Sequence, residues 1–277
     1  MTKLLSEATL ARYRRDGFCF PVDVLTADEA TGLRARLEAF EAREGKPLAG
    51  GMRHKTHLLF TWLNGLVHHP RILDAVEDVL GPDLLCWSST FFIKEAQDPG
   101  FVSWHQDATY WGLSSPDVIT AWVALSPATL ESGAMRMVPG SHRAQHAHRE
   151  TWAKENLLSR GQEVMVDIDA GGAVDILLRP GQASLHHVLI VHGSEPNRSA
   201  DRRIGFAIRY IPTHLRQTVA GPRDSATLVR GVDRYRHFDH EPAPDRDLSK
   251  QAWAAHRDAA GRSAAILYCG PRTPSFR

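Results

Sequence analysis

Cysteine, charge of one sign and long apolar runs are all scarce in this chain of 277 residues. Its three cysteines, Cys19, Cys86 and Cys269, are widely separated and form no CxxC pair. That pattern argues against a cysteine zinc site and suits a reducing compartment. Lysine and arginine number 33 against 32 acidic residues, which gives a net charge of +1. No strong electrostatic field therefore favours nucleic acid or a membrane surface.

No apolar run approaches the roughly 18 residues of a membrane span. Residues 2–16 mix polar and apolar side chains, so no signal peptide is visible. We therefore expect a soluble, cytoplasmic protein with neither a membrane nor a nucleic-acid partner. The hydrophobic content of 43% is ordinary for a globular protein.

Apolar periodicity divides the chain into a helical beginning and a β-rich centre. Thr26 and Glu29 form a capping box, and Gly81-Pro82 is a helix stop signal. The pattern predicts helices over 5–16, 26–42, 70–80 and about 249–260, and a partly helical stretch over 141–159. It predicts strands over 18–22, 84–93, 118–125, 134–138, 162–168, 182–191 and 204–211.

Helices followed by many short strands predict an α+β fold whose centre is an antiparallel barrel or jelly roll. We expect one domain over 1–277, with a helical part over about 1–82 and the jelly-roll core over about 83–212. An irregular lid or tail plus a final helix should fill about 213–277. The stretch 213–246 is rich in proline, arginine and aspartate, as lids and binding loops often are.

The segment Trp104-His105-Gln106-Asp107 places an imidazole and a carboxylate two positions apart. In extended backbone, side chains alternate between faces, so His105 and Asp107 would point the same way and could bind one metal ion. An HxD pair alone is weak evidence, because the chain contains 15 histidines and 32 acidic residues.

A second histidine at the end of an apolar run completes a possible ligand set. His192 precedes Gly193, and two histidines with one carboxylate form the facial triad of non-haem Fe(II) oxygenases. His186 is a rival, because it would share a face with His192 on an extended strand, and a core or channel-lining place suits it better. Arg203, past the turn 195–197, opens the next strand and could bind a co-substrate carboxylate.

Several longer motifs resemble the phytanoyl-CoA dioxygenase-like branch of the Fe(II)- and 2-oxoglutarate-dependent dioxygenases. The resemblance covers residues 5 to about 212. It depends on the segments FIK at 92–94, WHQD at 104–107, GAMRMVPGSH at 133–142, RPG at 179–181, HGSEPNRS at 192–199, RR at 202–203 and RY at 209–210. The proline-glycine-serine-histidine and histidine-glycine-serine segments are much more specific than HxD alone.

The resemblance implies a double-stranded β-helix, the cupin-like jelly roll, with flanking N-terminal helices and a C-terminal helix. It implies that His105, Asp107 and His192 bind Fe(II). The residues that match positions contacting 2-oxoglutarate in this family are Gln106, Trp122, Ser194 and Arg203.

The implied reaction is hydroxylation of an unactivated C–H bond, with dioxygen consumed and succinate and carbon dioxide released. Asp107 stands where halogenating relatives have a small residue, so we expect a hydroxylase and not a halogenase. A small polar substrate, such as an intermediate of secondary metabolism, is favoured, and Tyr110 and Trp111 are candidates for the walls of its pocket. A metal-dependent hydrolase with the same three ligands, and a non-catalytic jelly-roll binding protein, remain the alternatives.

Overall fold

Five α-helices flank the β-rich centre of the protein in this computed structural model, which describes residues 2–158 and 160–267 and, of Tyr110, the backbone. Cys269 lies outside the described residues. The helices are α1 (Glu7–Asp16), α2 (Ala27–Glu44), α3 (Thr61–Val67), α4 (Pro70–Leu80) and α5 (Lys250–Leu267). None of these helices combines the length and apolar character that crossing a bilayer requires.

The capping signals in the sequence fix the helix ends. Ser6 accepts from the Thr9 amide at the start of α1, and the capping box of Thr26 and Glu29 is present at the start of α2. The helix α3 was not predicted, because its first turn has no side-chain cap and its seven residues are too few for a clear period.

The strands form two facing antiparallel sheets and one small hairpin. They are β1 (Phe18–Asp23), β2 (Leu84–Lys94), β3 (Val102–His105), β4 (Ile119–Ala124), β5 (Met135–Met137), β6 (His148–Glu150), β7 (Gln162–Val164), β8 (Val174–Ile176), β9 (Gln182–His187), β10 (His192–Ser194), β11 (Arg203–Pro212), β12 (Ser225–Arg230) and β13 (Asp239–His240). The large sheet has the order β1-β9-β4-β11-β2-β12-β13, the small sheet β3-β10-β5-β8, and β6 pairs with β7. Only the β12–β13 pairing, among the strand pairings described, is parallel. This is the predicted α+β jelly roll.

The large sheet has a core on each face. One face packs against α1 to α4 through residues such as Phe206 and Tyr210 of β11 with Leu37 and Leu63 of the helices. The Tyr210 hydroxyl donates to the Val67 carbonyl at 2.9 Å, which ties this face to α3. The other face of the sheet looks toward the small sheet, and the functional site lies between them.

Three of the predicted segments differ from the structure. The run 182–191 is not one strand, because β9 ends at His187, a turn follows, and His192 begins β10 in the other sheet. The stretch 141–159 has a single 3-10 turn (Ser141–Arg143) and the strand β6 instead of a longer helix. The predicted irregular stretch 213–246 contains β12 and β13.

A candidate iron and 2-oxoglutarate site between the sheets

A cavity between the two sheets gathers most of the residues that the sequence singles out. The small sheet contributes β3, β5 and β10, and the large sheet contributes β2, β4, β9 and β11. The lining residues are Phe92, Val102, His105, Asp107, Thr120, Trp122, Met135, His186, His192, Gly193, Ser194, Arg203, Ala207 and Arg209.

The three predicted metal ligands lie at one end of this cavity. His105 ends β3, Asp107 begins the 3-10 helix Asp107–Tyr110, and His192 begins β10 directly opposite His105 in the strand register. One potential ligand atom from each lies within 4.8 Å of the others, and all three residues are largely buried. His105 and Asp107 share a face as expected, because the backbone of Gln106 between them is extended (φ −115°, ψ 135°).

Backbone carbonyls fix the tautomer of both histidines. His105 Nδ1 lies 2.9 Å from the Ser103 carbonyl and His192 Nδ1 lies 3.0 Å from the Ile190 carbonyl. A carbonyl only accepts, so each Nδ1 must donate its proton, which leaves Nε2 with a free lone pair. Metal-ligating histidines are usually held by such a contact. The donor set therefore fits a divalent transition metal such as Fe(II).

Asp107 is held in its anionic form. Burial opposes its ionisation, but the adjacent His105 and the charge of Arg209 outweigh burial and lower the pKa of Asp107. Burial together with the charge of His105 lowers the pKa of His192 to about 4, which keeps that imidazole neutral and available as a ligand. One carboxylate and two neutral imidazoles leave a bound dication with a net positive charge.

Arg203 is a buried cation that lines the same cavity. Its Nη1 donates to the Gly133 carbonyl at 2.5 Å, and its Nε has no partner among the described residues. Burial lowers the pKa of Arg203 to about 10, against a distant attraction from Asp98. The buried amine of Lys94 stands beside it, because Lys94 pairs with Arg203 across the β2–β11 register.

Lys94 determines how the nearby Ser194 hydroxyl is used. Its Nζ donates to Ser194 Oγ at 2.8 Å and also to the Glu195 carbonyl. Ser194 Oγ is thus an acceptor toward Lys94, and its own proton is free to donate into the cavity. Burial, helped by the charge of Arg203, lowers the pKa of Lys94 to about 6.

Trp122 covers the part of the cavity beside Arg203, because glycine faces it. A Cβ added at Gly205 would lie 1.9 Å from the Trp122 ring, so glycine alone lets the indole lie flat on β11. The Arg203 guanidinium carbon is 5.5 Å from the centre of the same ring. Trp122 therefore forms a wall beside Arg203.

Unpartnered polar atoms concentrate on the large-sheet side of this cavity. Among the described residues, Thr120 Oγ1, His186 Nδ1, Arg203 Nε and Arg209 Nε are buried without a hydrogen-bond partner, and all four residues line the cavity. Buried polar atoms are nearly always paired in native proteins. A cluster of unpaired buried polar atoms around one cavity is typical of a site that binds a polar ligand.

Gln106 and Trp111, one of the two predicted substrate-wall residues, do not line this cavity. Gln106 points to the face opposite His105, where its amide donates to the Ala144 and Leu189 carbonyls and accepts from the His146 amide. The Tyr110 side chain is outside the described part of the structure. Trp111 lines a second cavity.

This second cavity has a volume of about 570 Å³ and adjoins the metal-ligand cluster, because Phe92, Asp107 and Arg209 line both cavities. Its walls include Trp87 and Trp111, whose ring centres are 5.0 Å apart. The helix α5 closes another side. Its lining residues from that helix are Ala260, Ser263, Ala264, Ile266 and Leu267.

Arg209 and His148 were not assigned a role at the site from sequence, whereas His186, expected in a core or channel-lining place, lines the cavity. Arg209 could have been found, because the alternation that places Arg203 in the cavity reaches 205, 207 and 209 on the same face of β11. His148 is part-buried beside the ligands: its Nε2 accepts from the backbone N–H of Gln106 at 2.9 Å, and burial lowers its pKa to about 4. No local pattern in the sequence indicates that contact.

Known proteins resemble this chain over most of its length. A family model described as Phytanoyl-CoA dioxygenase (PhyH) matches residues 13–205. The L-proline trans-4-hydroxylase of Streptomyces griseoviridis is 27% identical over 253 residues, which cover 79% of this chain and 93% of that protein. A probable alpha-ketoglutarate-dependent hypophosphite dioxygenase of Stutzerimonas stutzeri is 31% identical over 159 residues, about half of each protein (56% and 54%).

Two solved structures extend the likeness to the fold. The apo form of the non-heme monooxygenase ThoJ is 39% identical, with a TM-score of 0.81 over 93% of this chain and 96% of that one. CytC3 with Fe(II) and alpha-ketoglutarate is 25% identical, with a TM-score of 0.66 over 89% of this chain and 96% of that one. The family model matches well over half of the residues and the ligand triad is in place. This chain therefore belongs to the phytanoyl-CoA dioxygenase (PhyH) family, and its recognition as an Fe(II)- and 2-oxoglutarate-dependent dioxygenase is confirmed.

Proposed function

We propose that this protein hydroxylates a C–H bond of a small molecule, with His105, Asp107 and His192 holding Fe(II) and Arg203 holding the distal carboxylate of 2-oxoglutarate. The observation that carries the proposal is the unpartnered, buried guanidinium Nε of Arg203 in the same cavity as the ligand triad. A hydrolase that uses the same ligands would have no need of that cation. Bound Fe(II) supplies the activation of dioxygen that is coupled to decarboxylation of the co-substrate.

The chain's own residues bind and orient the co-substrate. Arg203 offers its free Nε–H, and Ser194 offers the hydroxyl proton that Lys94 leaves available. Trp122 supplies an apolar wall that excludes water from the carboxylate and strengthens these contacts. Gln106 works from the opposite face, where its three bonds fix the backbone between the two ligands of the HxD pair.

The substrate belongs in the larger cavity beside Asp107. Named relatives act on proline, ectoine and hypophosphite, so the family alone does not select a substrate. We infer a small molecule that carries a polar group, and a reducing, cytoplasmic setting, in keeping with the buried free thiols of Cys19 and Cys86.

The test separates co-substrate binding from metal binding. Anaerobic addition of Fe(II) and 2-oxoglutarate to the wild-type protein should give a visible metal-to-ligand charge-transfer band. Arg203→Ala should weaken 2-oxoglutarate binding by about 10- to 100-fold, the value of one charge-assisted hydrogen-bonded contact, with Fe(II) affinity almost unchanged. Titrations of the band and of the metal measure the two separately.

Arg202→Ala is the matched control. Arg202 is the neighbouring residue, yet it is bound to Glu41 and Glu95 on the helix side of the sheet. Its loss should leave 2-oxoglutarate binding unchanged. If Arg203→Ala reduces both affinities equally, or if the wild-type protein gives no band, the proposal is wrong.

A further inference from the structure

Arg209 is a buried guanidinium whose hydrogen-bonding capacity is mostly unused. The residue is 7% exposed, its Nη1 donates to Thr90 Oγ1 at 2.7 Å, and its Nε has no partner among the described residues. The guanidinium carbon lies 5.8 Å from the Phe92 ring centre and 5.4 Å from the Trp111 ring centre. The two rings hold the cation in place without neutralising its charge.

The acidic group that acts on Arg209 is already committed elsewhere. Burial lowers the pKa of Arg209, and the attraction of Asp107 opposes that effect. Asp107 is also a member of the ligand triad, so a dication bound there would take up its negative charge. Arg209 would then stand in the protein interior with no compensating anion, which is costly unless a ligand supplies one.

The space beside Arg209 can take such a ligand. Arg209 lines both cavities, so an anion bound to it would lie next to the metal ligands and reach into the volume of about 570 Å³. The walls of that volume are largely aromatic and aliphatic, from Trp87, Trp111 and Phe91 on one side and α5 on the other. A ligand that fits would combine one anionic group with an apolar or aromatic body.

We propose that the larger cavity is the substrate pocket and takes a carboxylic acid with an apolar or aromatic body, whose carboxylate Arg209 holds beside the metal. The planar guanidinium matches a carboxylate with two parallel hydrogen bonds. This substrate class rests on the proposed function, since it places the acid next to the Fe(II) and 2-oxoglutarate site. The Arg209 guanidinium could instead bind a carboxylate of 2-oxoglutarate, and the experiment distinguishes substrate binding from co-substrate binding.

The experiment compares acids with their own amides. Phenylpropionate and indolepropionate, and the primary amide of each, are titrated by calorimetry into the anaerobic protein loaded with Fe(II) and 2-oxoglutarate, and into the metal-free protein. The acids should bind the loaded protein at least about tenfold more tightly than the amides. Arg209→Gln should remove this preference and keep the charge-transfer band, and Arg209→Lys should retain part of the preference.

Arg160→Gln is the matched control, because Arg160 lines the same cavity but is paired with Glu150 at 2.5 Å. The preference of this variant for acids should equal that of the wild type.

The inference is overturned if wild-type protein binds acids and amides equally, or if Arg209→Gln keeps the preference. It is also overturned if Arg209→Gln loses the band itself, since Arg209 would then serve the co-substrate. Should Arg209→Gln fail to fold, the wild-type comparison and Arg209→Lys decide. Absence of a band in the wild type contradicts the proposed function alone, because titration of the metal-free protein still measures the preference.

Discussion

Asp107 interacts with charged or ligating groups in two parts of the site. Its carboxylate lies 3.4 Å from His105 Nε2 within the ligand triad, and its charge attracts Arg209, which lines the same cavity. Neutral imidazoles cannot supply charge to a dication, so the carboxylate is the anionic ligand of the set. Removal of this single side chain therefore weakens the metal site and leaves a buried arginine without its acidic neighbour.

Asp107→Ala should lower Fe(II) affinity by more than about 100-fold, because even the outer partners of metal ligands contribute 10- to 100-fold. Metal titration under anaerobic conditions measures this. Asp117→Ala is the control, since Asp117 is an exposed carboxylate that accepts a hydrogen bond from the Ser115 hydroxyl. The Asp117→Ala variant should bind Fe(II) with the affinity of the wild type. An Asp107→Ala protein that binds Fe(II) normally would remove Asp107 from the ligand set.

Among the elements, β11 does most to build the site. Alternate residues of this strand, from Arg203 through Gly205 to Arg209, face the cavity or its Trp122 wall, and the residues between them face the helical core. The period of two and the HxD pair could be predicted from the sequence, because each depends on local spacing. His192 is favoured because it precedes Gly193 at the end of an apolar run and because of the family resemblance. The carbonyls that orient His105 and His192, and the cation-π walls of Arg209, depend on contacts between distant strands and could not be predicted.

Gly205→Ala tests whether β11 must approach Trp122 closely. The added methyl group would meet the indole ring at 1.9 Å, so Trp122 or the strand has to move. We expect a loss of about 1–3 kcal/mol in the free energy of unfolding, as for other overpacked cores, with weaker 2-oxoglutarate binding. Urea denaturation and titration of the charge-transfer band measure the two effects.

Gly32→Ala is the matched control for that substitution. Gly32 lies inside α2 and no atom would come within 4 Å of its added Cβ, so alanine should stabilise the protein by about 0.5–1 kcal/mol through helix propensity. If both substitutions changed the stability in the same direction, the close contact at Gly205 would not be the cause.

At the scale of the whole molecule, the site is a product of tertiary assembly. The alternating and ordered motifs predicted an α+β jelly roll with flanking helices, and the structure has it. The division of 182–191 between two sheets could not be predicted, because periodicity does not reveal where a chain crosses from one sheet to the other. That crossing brings His192 opposite His105 and leaves His186, its rival, on the facing sheet with ring centres 5.2 Å apart.

The buried histidines should make the stability of the metal-free protein fall on mild acidification. Burial lowers the pKa of His54 to about 3, and of His148 and His187 to about 4, whereas an unfolded histidine titrates near 6.5. Between about pH 6.5 and 4 the unfolded chain therefore binds more protons than the folded protein, so the free energy of unfolding decreases as pH falls. The buried carboxylates of Asp107 and Glu241 have lowered pKa values and weaken the fold only below about pH 4.

Urea unfolding at pH 7 and pH 5, with metal removed so that protons do not compete with it, measures this dependence. The protein should be less stable at pH 5, and His54→Gln should reduce the difference, because an amide side chain at this position takes no proton on unfolding. Equal stability at the two pH values would contradict this prediction. It would mean that these three histidines are hydrated in the folded protein.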